Sequence, residues 1–253
     1  MGSTNVVIGP GLAVAGVLAV VLAAAVARRA GLDTERSAVV AGVRAVVQLG
    51  AVSLLIGAIV GSLPASAAFV ALMVGVAAWT SARRITRDRT GWWSAAPIAL
   101  APLPVVAGLV AGGVVPATGI AVIPMSGILI GGTMVATSLA GRRTLDELAG
   151  RRGEVEAALS LGLLPRDARK EIACGAAAQA LVPVTDQTRT VGLVTLPGAF
   201  VGMLLGGATP IEAGAVQVLV LLLLLGVQTV AVAITLELVC RGRIRPATAT
   251  SAR

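Results

Sequence analysis

Residues 214–240 read GAVQVLVLLLLLGVQTVAVAITLELVC, and Arg241, Arg243 and Arg245 follow directly. One carboxylate, Glu237, interrupts the run near its end. At about 1.5 Å per residue, such a helix exceeds the roughly 30 Å of a bilayer's hydrocarbon core. A barrel strand would instead alternate apolar and polar residues over about ten positions. The stretch therefore predicts a transmembrane helix. The arginines behind it predict its cytoplasmic end, because basic flanks are retained on that side during insertion.

Six more apolar runs lie upstream, at 6–27, 37–60, 65–82, 93–114, 119–140 and 191–208. Charge sorts across the seven by side. Of the 20 Lys and Arg residues, 19 fall in every second gap or after the last run. Arg28, Arg29 and Arg36 follow the first run, and Arg83, Arg84, Arg87 and Arg89 the third. Arg142 to Arg189 fill a polar segment after the fifth, whereas the gaps around 62–64, 112–116 and 206–210 carry no Lys or Arg. The prediction is an all-α integral membrane protein of about seven transmembrane helices, N-terminus outside and C-terminus cytoplasmic. The first run lacks a basic leader and reads as a retained anchor rather than a signal peptide.

The net charge of +8 is topogenic on this reading, and the basic loops face an anionic lipid bilayer. A nucleic-acid partner is not expected, since Tyr is absent and only two Phe and three Trp could stack on bases. Trp92 and Trp93 stand where a basic gap meets the fourth run, the usual interfacial position for indole. Cys174 and Cys240 both fall on the predicted cytoplasmic side and read as reduced thiols.

The whole chain, 1–253, reads as one transmembrane domain with a cytoplasmic segment at 141–190. Thr144 and Glu147 fit a capping box, and Leu145, Leu148, Val155 and Leu159 give one apolar stripe. Gly162 fits the end of that helix and Pro165 the first turn of the next. Residues 172–184 turn apolar again but are too short to cross, so they lie in the interface or re-enter.

No catalytic machinery is legible. The chain holds one lysine, Lys170, with no glycine run before it, so a phosphate-cradling P-loop is missing. Histidine is absent, which removes His-based metal sites and most acid–base schemes near pH 7. The chain is not expected to be an enzyme or to carry a cofactor, and no metal-ligand set can be named.

Glu156-Ala157-Ala158-Leu159-Ser160-Leu161-Gly162 resembles the EAA loop through which ABC transporter permeases dock onto their ATPase. An acidic start, a short amphipathic helix and a glycine turn make a rigid lever. An ordinary interfacial helix is the alternative. The sequence departs from the loop after Gly162: where an Ile-x-Leu-Pro element is expected, Ile172 is followed by Ala173, Cys174 and Gly175.

Other segments extend the likeness: Arg44-Ala45 with Gln48-Leu49, Val122-Ile123-Pro124 with Gly127, and Pro183-Val184 with Asp186. The most specific is the unbroken run Thr190-Val191-Gly192-Leu193-Val194-Thr195-Leu196-Pro197-Gly198. Together, from the second span to about Pro210, they resemble the FetB family of ABC permeases. Gly132 is a departure, standing where asparagine is expected in that family. The resemblance implies a permease subunit in a bacterial cytoplasmic membrane, working as a homodimer and exporting a metal ion, iron first. ATP would bind a separate cytoplasmic ATPase subunit.

On that reading Glu156, Ala157, Ala158 and Gly162 couple to the ATPase. Arg44, Gln48, Pro124, Met125, Asp186, Thr195, Pro197 and Gly198 are the transport-pathway candidates. Arg44 and Gln48 share one helix face, and Arg44 either snorkels to the interface or pairs, for instance with Asp186. Pro124 and Pro197-Gly198 interrupt apolar runs, which frees carbonyls where a cavity or hinge is needed. Met125 and Met134 offer thioethers to a soft metal or simply pack. Export of an organic solute or metal conjugate, a secondary transporter and a membrane scaffold stay open as alternatives.

Overall fold

Prolines and glycines set where the helices begin, break and end. The computed structural model describes residues 9–247, with only the backbone of Ala58. Positions 6–8 of the first predicted span, and Arg253, lie outside the described residues. Among the described residues no strand forms beyond an isolated bridge between Val191 and Thr195. The contacts divide the chain into two compact units, 1–60 and 61–253.

The first unit is a helical hairpin of α1 (Pro10–Arg29) and α2 (Glu35–Ile59). Pro10 opens α1, where a missing N–H costs nothing. Arg28 and Arg29 lie in the last turn of α1 and Glu35 in the first turn of α2.

The second unit is built on three helices that run parallel: α3 (Leu63–Ile85), α6 (Gly119–Gly150) and α11 (Pro210–Cys240). Between α3 and α6 the chain returns through a 3₁₀ turn (Arg89–Ser94), α4 (Ala95–Leu100) and α5 (Pro102–Ala111). The parallel register follows from contacts. Ser138 Oγ of α6 donates to Ser81 Oγ of α3 at 3.0 Å. Ala136 and Ala140 of α6 pack with Val232 and Leu236 of α11, and Ile85, Leu145 and Val239 meet in one cluster. The C-terminal ends of all three helices therefore lie together. The arginines beside them share that basic end, as the charge pattern predicts.

Six stretches of the described residues are long and apolar enough to cross a membrane: Pro10–Arg29, Glu35–Gly57, Leu63–Ile85, Arg89–Ala111, Gly119–Gly150 and Pro210–Cys240. The predicted sixth span, 191–208, is not among them. It breaks because Gly192 sits at φ +83° and Pro197 has no N–H to donate, so only α10 (Gly198–Leu205) is helical there.

The polar segment 141–190 begins in helix rather than in loop. With no proline to stop it, α6 continues to Gly150; its 32 residues reach about 48 Å, well beyond a hydrocarbon core. Thr144 therefore sits inside a running helix, fully buried, and caps nothing. A capping box does occur elsewhere: Thr209 and Glu212 satisfy each other's backbone N–H groups at the start of α11.

After α7 (Arg152–Ser160), α8 (Pro165–Ala178), a 3₁₀ turn (Gln179–Leu181) and α9 (Val182–Thr190) enter the bundle. Ala173, Ala177 and Ala180 are buried against Ala136, Ala140, Val232 and Leu236. Val184 packs further along, with Leu129, Val220 and Val227. Residues 172–184 thus pack one face against the bundle. Their small side chains let three helices approach closely, which is how helices associate where hydrophobic driving force is weak.

This packing separates the two cysteines. Cys174 of α8 is exposed, whereas Cys240 is 1% exposed at the end of α11. A membrane-permeant maleimide is expected to modify one thiol per native chain and both after denaturation, counted by intact-protein mass.

Candidate coupling elbow and transport seam

The elbow begins with α7, which buries none of its residues. Arg151 precedes it and hydrogen-bonds both Glu147 of α6 and Glu154 of α7. The guanidinium holds the Glu154 carboxyl below its ordinary range. Glu156 and Ala157 are exposed and Ala158 is half-buried.

The helix ends in a Schellman turn. The Gly162 N–H donates to the Leu159 carbonyl (2.9 Å) and the Leu163 N–H to the Ala158 carbonyl (3.2 Å). Gly162 takes φ +90°, a conformation that costs other L-residues about 1–2 kcal/mol. Leu161 and Leu164, on either side, are 83% and 68% exposed. An apolar tip is thereby held out from the basic end.

The second arm of the elbow is fastened to α11. Arg166 Nε and Nη2 each lie 2.8 Å from one carboxylate oxygen of Glu237, a two-pronged pair with directional as well as electrostatic strength. Glu237 also accepts from Arg241, and Arg169 donates to the Cys240 carbonyl at 3.2 Å. Between the arms and the end of α11 lies a cleft of about 610 Å³, lined among others by Leu148, Val155, Glu156, Arg169 and Arg241. α7 is thus joined to α8 through the turn at Gly162, and α8 to α11 through the Arg166–Glu237 pair.

Deeper in the same unit runs a polar seam. Ser126, Thr133, Thr137 and Thr144 follow one another along α6 and are each 0% exposed. Thr133 Oγ1 donates to the Leu129 carbonyl at 2.7 Å, while the hydroxyls of Ser126, Thr137 and Thr144 have no partner. On α11, Gln217 is 5% exposed with Oε1 unpartnered, and Gln228 is 9% exposed. A methyl group on Gly132 would meet Gln228 Nε2 at 2.7 Å, so the glutamine amide occupies the space beside that glycine.

The structure gathers Glu156, Ala157, Ala158 and Gly162 into the elbow. The pathway candidates are distributed over α2, α6, α9 and the break before α10. Arg44 and Gln48 lie exposed on α2, in the first unit. Pro124 is exposed, and α6 runs on through it. Met125 packs against the core around Leu129 and Val220, and Met134 against that of Ile130. Asp186 is exposed, with Arg189 Nη1 3.8 Å away. Thr195 and Gly198 are exposed and Pro197 half-buried, in and after the break, where the Gly192 N–H donates to the Thr195 carbonyl at 2.9 Å. Among the described residues no three Asp, Glu, Cys or His side chains are grouped to hold a metal ion.

The sequence reading missed the two glutamines. They are eleven residues apart, about three helical turns, so they share one face of an otherwise apolar helix. That spacing was a readable signal. The Arg166–Glu237 pair was not, because its partners are 71 residues apart.

Residues 11–244 match the family described as "Uncharacterised protein family (UPF0014)". The chain is 35% identical over 224 residues to UPF0014 membrane protein STAR2 of Oryza sativa subsp. japonica, covering 87% of this chain and 77% of the relative. It is 33% identical over 189 residues to UPF0014 membrane protein YjkA of Bacillus subtilis, covering 74% and 76%. It is 33% identical over 99 residues to the probable iron export permease protein FetB of Escherichia coli, covering 39% and 38%. No solved structure matches the chain. The chain belongs to the UPF0014 family, which includes the FetB-type permeases, and is a multi-pass membrane protein.

Proposed function

We propose that this chain is the membrane-spanning subunit of an ABC exporter in a bacterial cytoplasmic membrane. It works as a homodimer with a separate cytoplasmic ATPase and moves a metal ion, iron first, out of the cell. The observation that carries this reading is the elbow, a glycine-locked turn whose leucines stand exposed at the basic end. ATP hydrolysis belongs to the partner, since no glycine run precedes Lys170. Closure of the ATPase would push α7, and the Arg166–Glu237 link would pass the motion to α8 and α11. The name of the Escherichia coli relative supports iron.

A second reading, export of a small organic solute or metal conjugate, is favoured by the donor chemistry. The seam offers hydroxyls and amides rather than grouped carboxylates or thiols. Co-expression with tagged candidate ATPases, reconstitution of the complex and a panel of metals and conjugates separates the two readings. Iron is expected to stimulate ATP hydrolysis saturably. A flat response to every metal would remove iron, and failure to recruit any P-loop ATPase would remove the ABC assignment.

A further inference from the structure

All three tryptophans of the chain, Trp79, Trp92 and Trp93, stand at the end of α3 or in the 3₁₀ turn that follows it. Trp79 and Trp92 line a cavity of about 490 Å³ together with Arg83, Arg87 and Arg89. Both residues are about half exposed, at 44% and 54%. The Arg83 guanidinium lies 5.0 Å from the Trp79 ring centre, a cation–π contact that orients the charge across an apolar wall.

The cavity is built by local bonding. Asp88, the carboxylate among its lining residues, is turned into the 3₁₀ helix, where Oδ1 accepts the Thr90 N–H at 2.8 Å. The Asp88 N–H donates to Thr86 Oγ1, and the Arg245 N–H to Thr90 Oγ1, each at 3.1 Å. Gly91 lies so close to α3 that a methyl group there would meet the Ala82 carbonyl oxygen at 2.8 Å. Among the described residues, none of Arg83, Arg87 and Arg89 forms a salt bridge.

We propose that this cavity binds the phosphate of an anionic phospholipid headgroup. Three guanidiniums, none in a salt bridge and outnumbering the one lining carboxylate, Asp88, suit phosphate oxygens, which arginine grips through paired N–H groups. Exposed indoles beside them suit the glycerol and upper acyl region, the depth at which tryptophan settles in bilayers. A soluble phosphate would use the guanidiniums but leave the indole walls uncovered. The site is separate from the elbow and the seam, and does not depend on the cargo.

Because every tryptophan lies here, intrinsic fluorescence reports on this region alone. The full-length protein is reconstituted in phosphatidylcholine containing a minor fraction of brominated phosphatidylglycerol, then in the converse mixture with the bromines on phosphatidylcholine. Quenching by the brominated anionic lipid is expected to exceed its share of the bilayer, with near-saturation at low mole fraction. Each arginine near a membrane surface contributes about fivefold in affinity, so R87Q/R89Q should weaken the preference roughly 25-fold. R142Q/R143Q removes the same charge elsewhere at the basic end and should leave it intact. Emission maxima in bromine-free vesicles check that the variants keep the site folded. Quenching that tracks bulk composition overturns the proposal, as does equal loss in the two double variants. Displacement of the brominated lipid by inorganic phosphate would assign the site to a soluble ligand instead.

Discussion

Replacing Gly162 with proline reduces transport-coupled ATPase stimulation to the uncoupled background, while membrane insertion and yield stay at the wild-type level. Proline fixes φ near −65°, against the +90° observed, and deletes the N–H that closes the turn on the Leu159 carbonyl. It also disfavours helical backbone at Leu161, the residue before it. The turn cannot form, so α7 is no longer held at a fixed angle to α8. Gly162→Ala keeps the N–H and costs about 1–2 kcal/mol for the left-handed backbone, so it should fall between the two. Nothing in the elbow is buried in the bundle until Ala168, which is why folding should survive. The measurement is ATP hydrolysis by the partner subunit with each variant in vesicles. Unchanged stimulation by Gly162→Pro would falsify the coupling role.

The second large effect is expected at Ala173. It is 0% exposed where α6, α8 and α11 converge, in one cluster with Ala136 and Cys240. Leucine there adds three carbon atoms to a space that has none to give, and overpacking of this kind costs about 1–3 kcal/mol. Ala173→Leu should therefore lower the midpoint of thermal unfolding in detergent and broaden the gel-filtration peak. Ala178→Leu, at an exposed position on the same helix, should leave both unchanged. Equal behaviour of the pair would mean that α8 does not pack inside the bundle.

These two sites mark what the sequence could and could not reveal. The elbow was legible because its determinants are local: an acidic start, a short apolar stripe and a glycine, all within one turn of their effect. The helices around residues 63–85, 119–140 and 210–240 were legible because length and apolarity alone decide a membrane span. The inward path of α8 and α9 was legible only as one of two alternatives. Hydropathy measures preference for lipid, and an apolar run of only thirteen residues satisfies it equally well at the interface or inside the bundle. The small side chains in that run permit close helix contact, a property no single-residue scale contains. Thr144 and Glu147 misled for a related reason: a capping pattern starts a helix only where one is not already running. Thr209 and Glu212, with Pro210 between them, form the pattern after a glycine-rich gap and do start one.

The interruption at residues 191–197 carries a cost for a protomer standing alone in lipid. Leu193, Val194 and Leu196 are 94%, 77% and 62% exposed, and the peptide groups among them lack a regular helical ladder. Hydrocarbon offers such groups no hydrogen bonds, and non-helical backbone at that depth is tolerated only where protein encloses it or solvent wets it. Solitary chains diluted into a thick bilayer should hence be the least durable form of this molecule, and association that covers residues 191–197 should prolong their life.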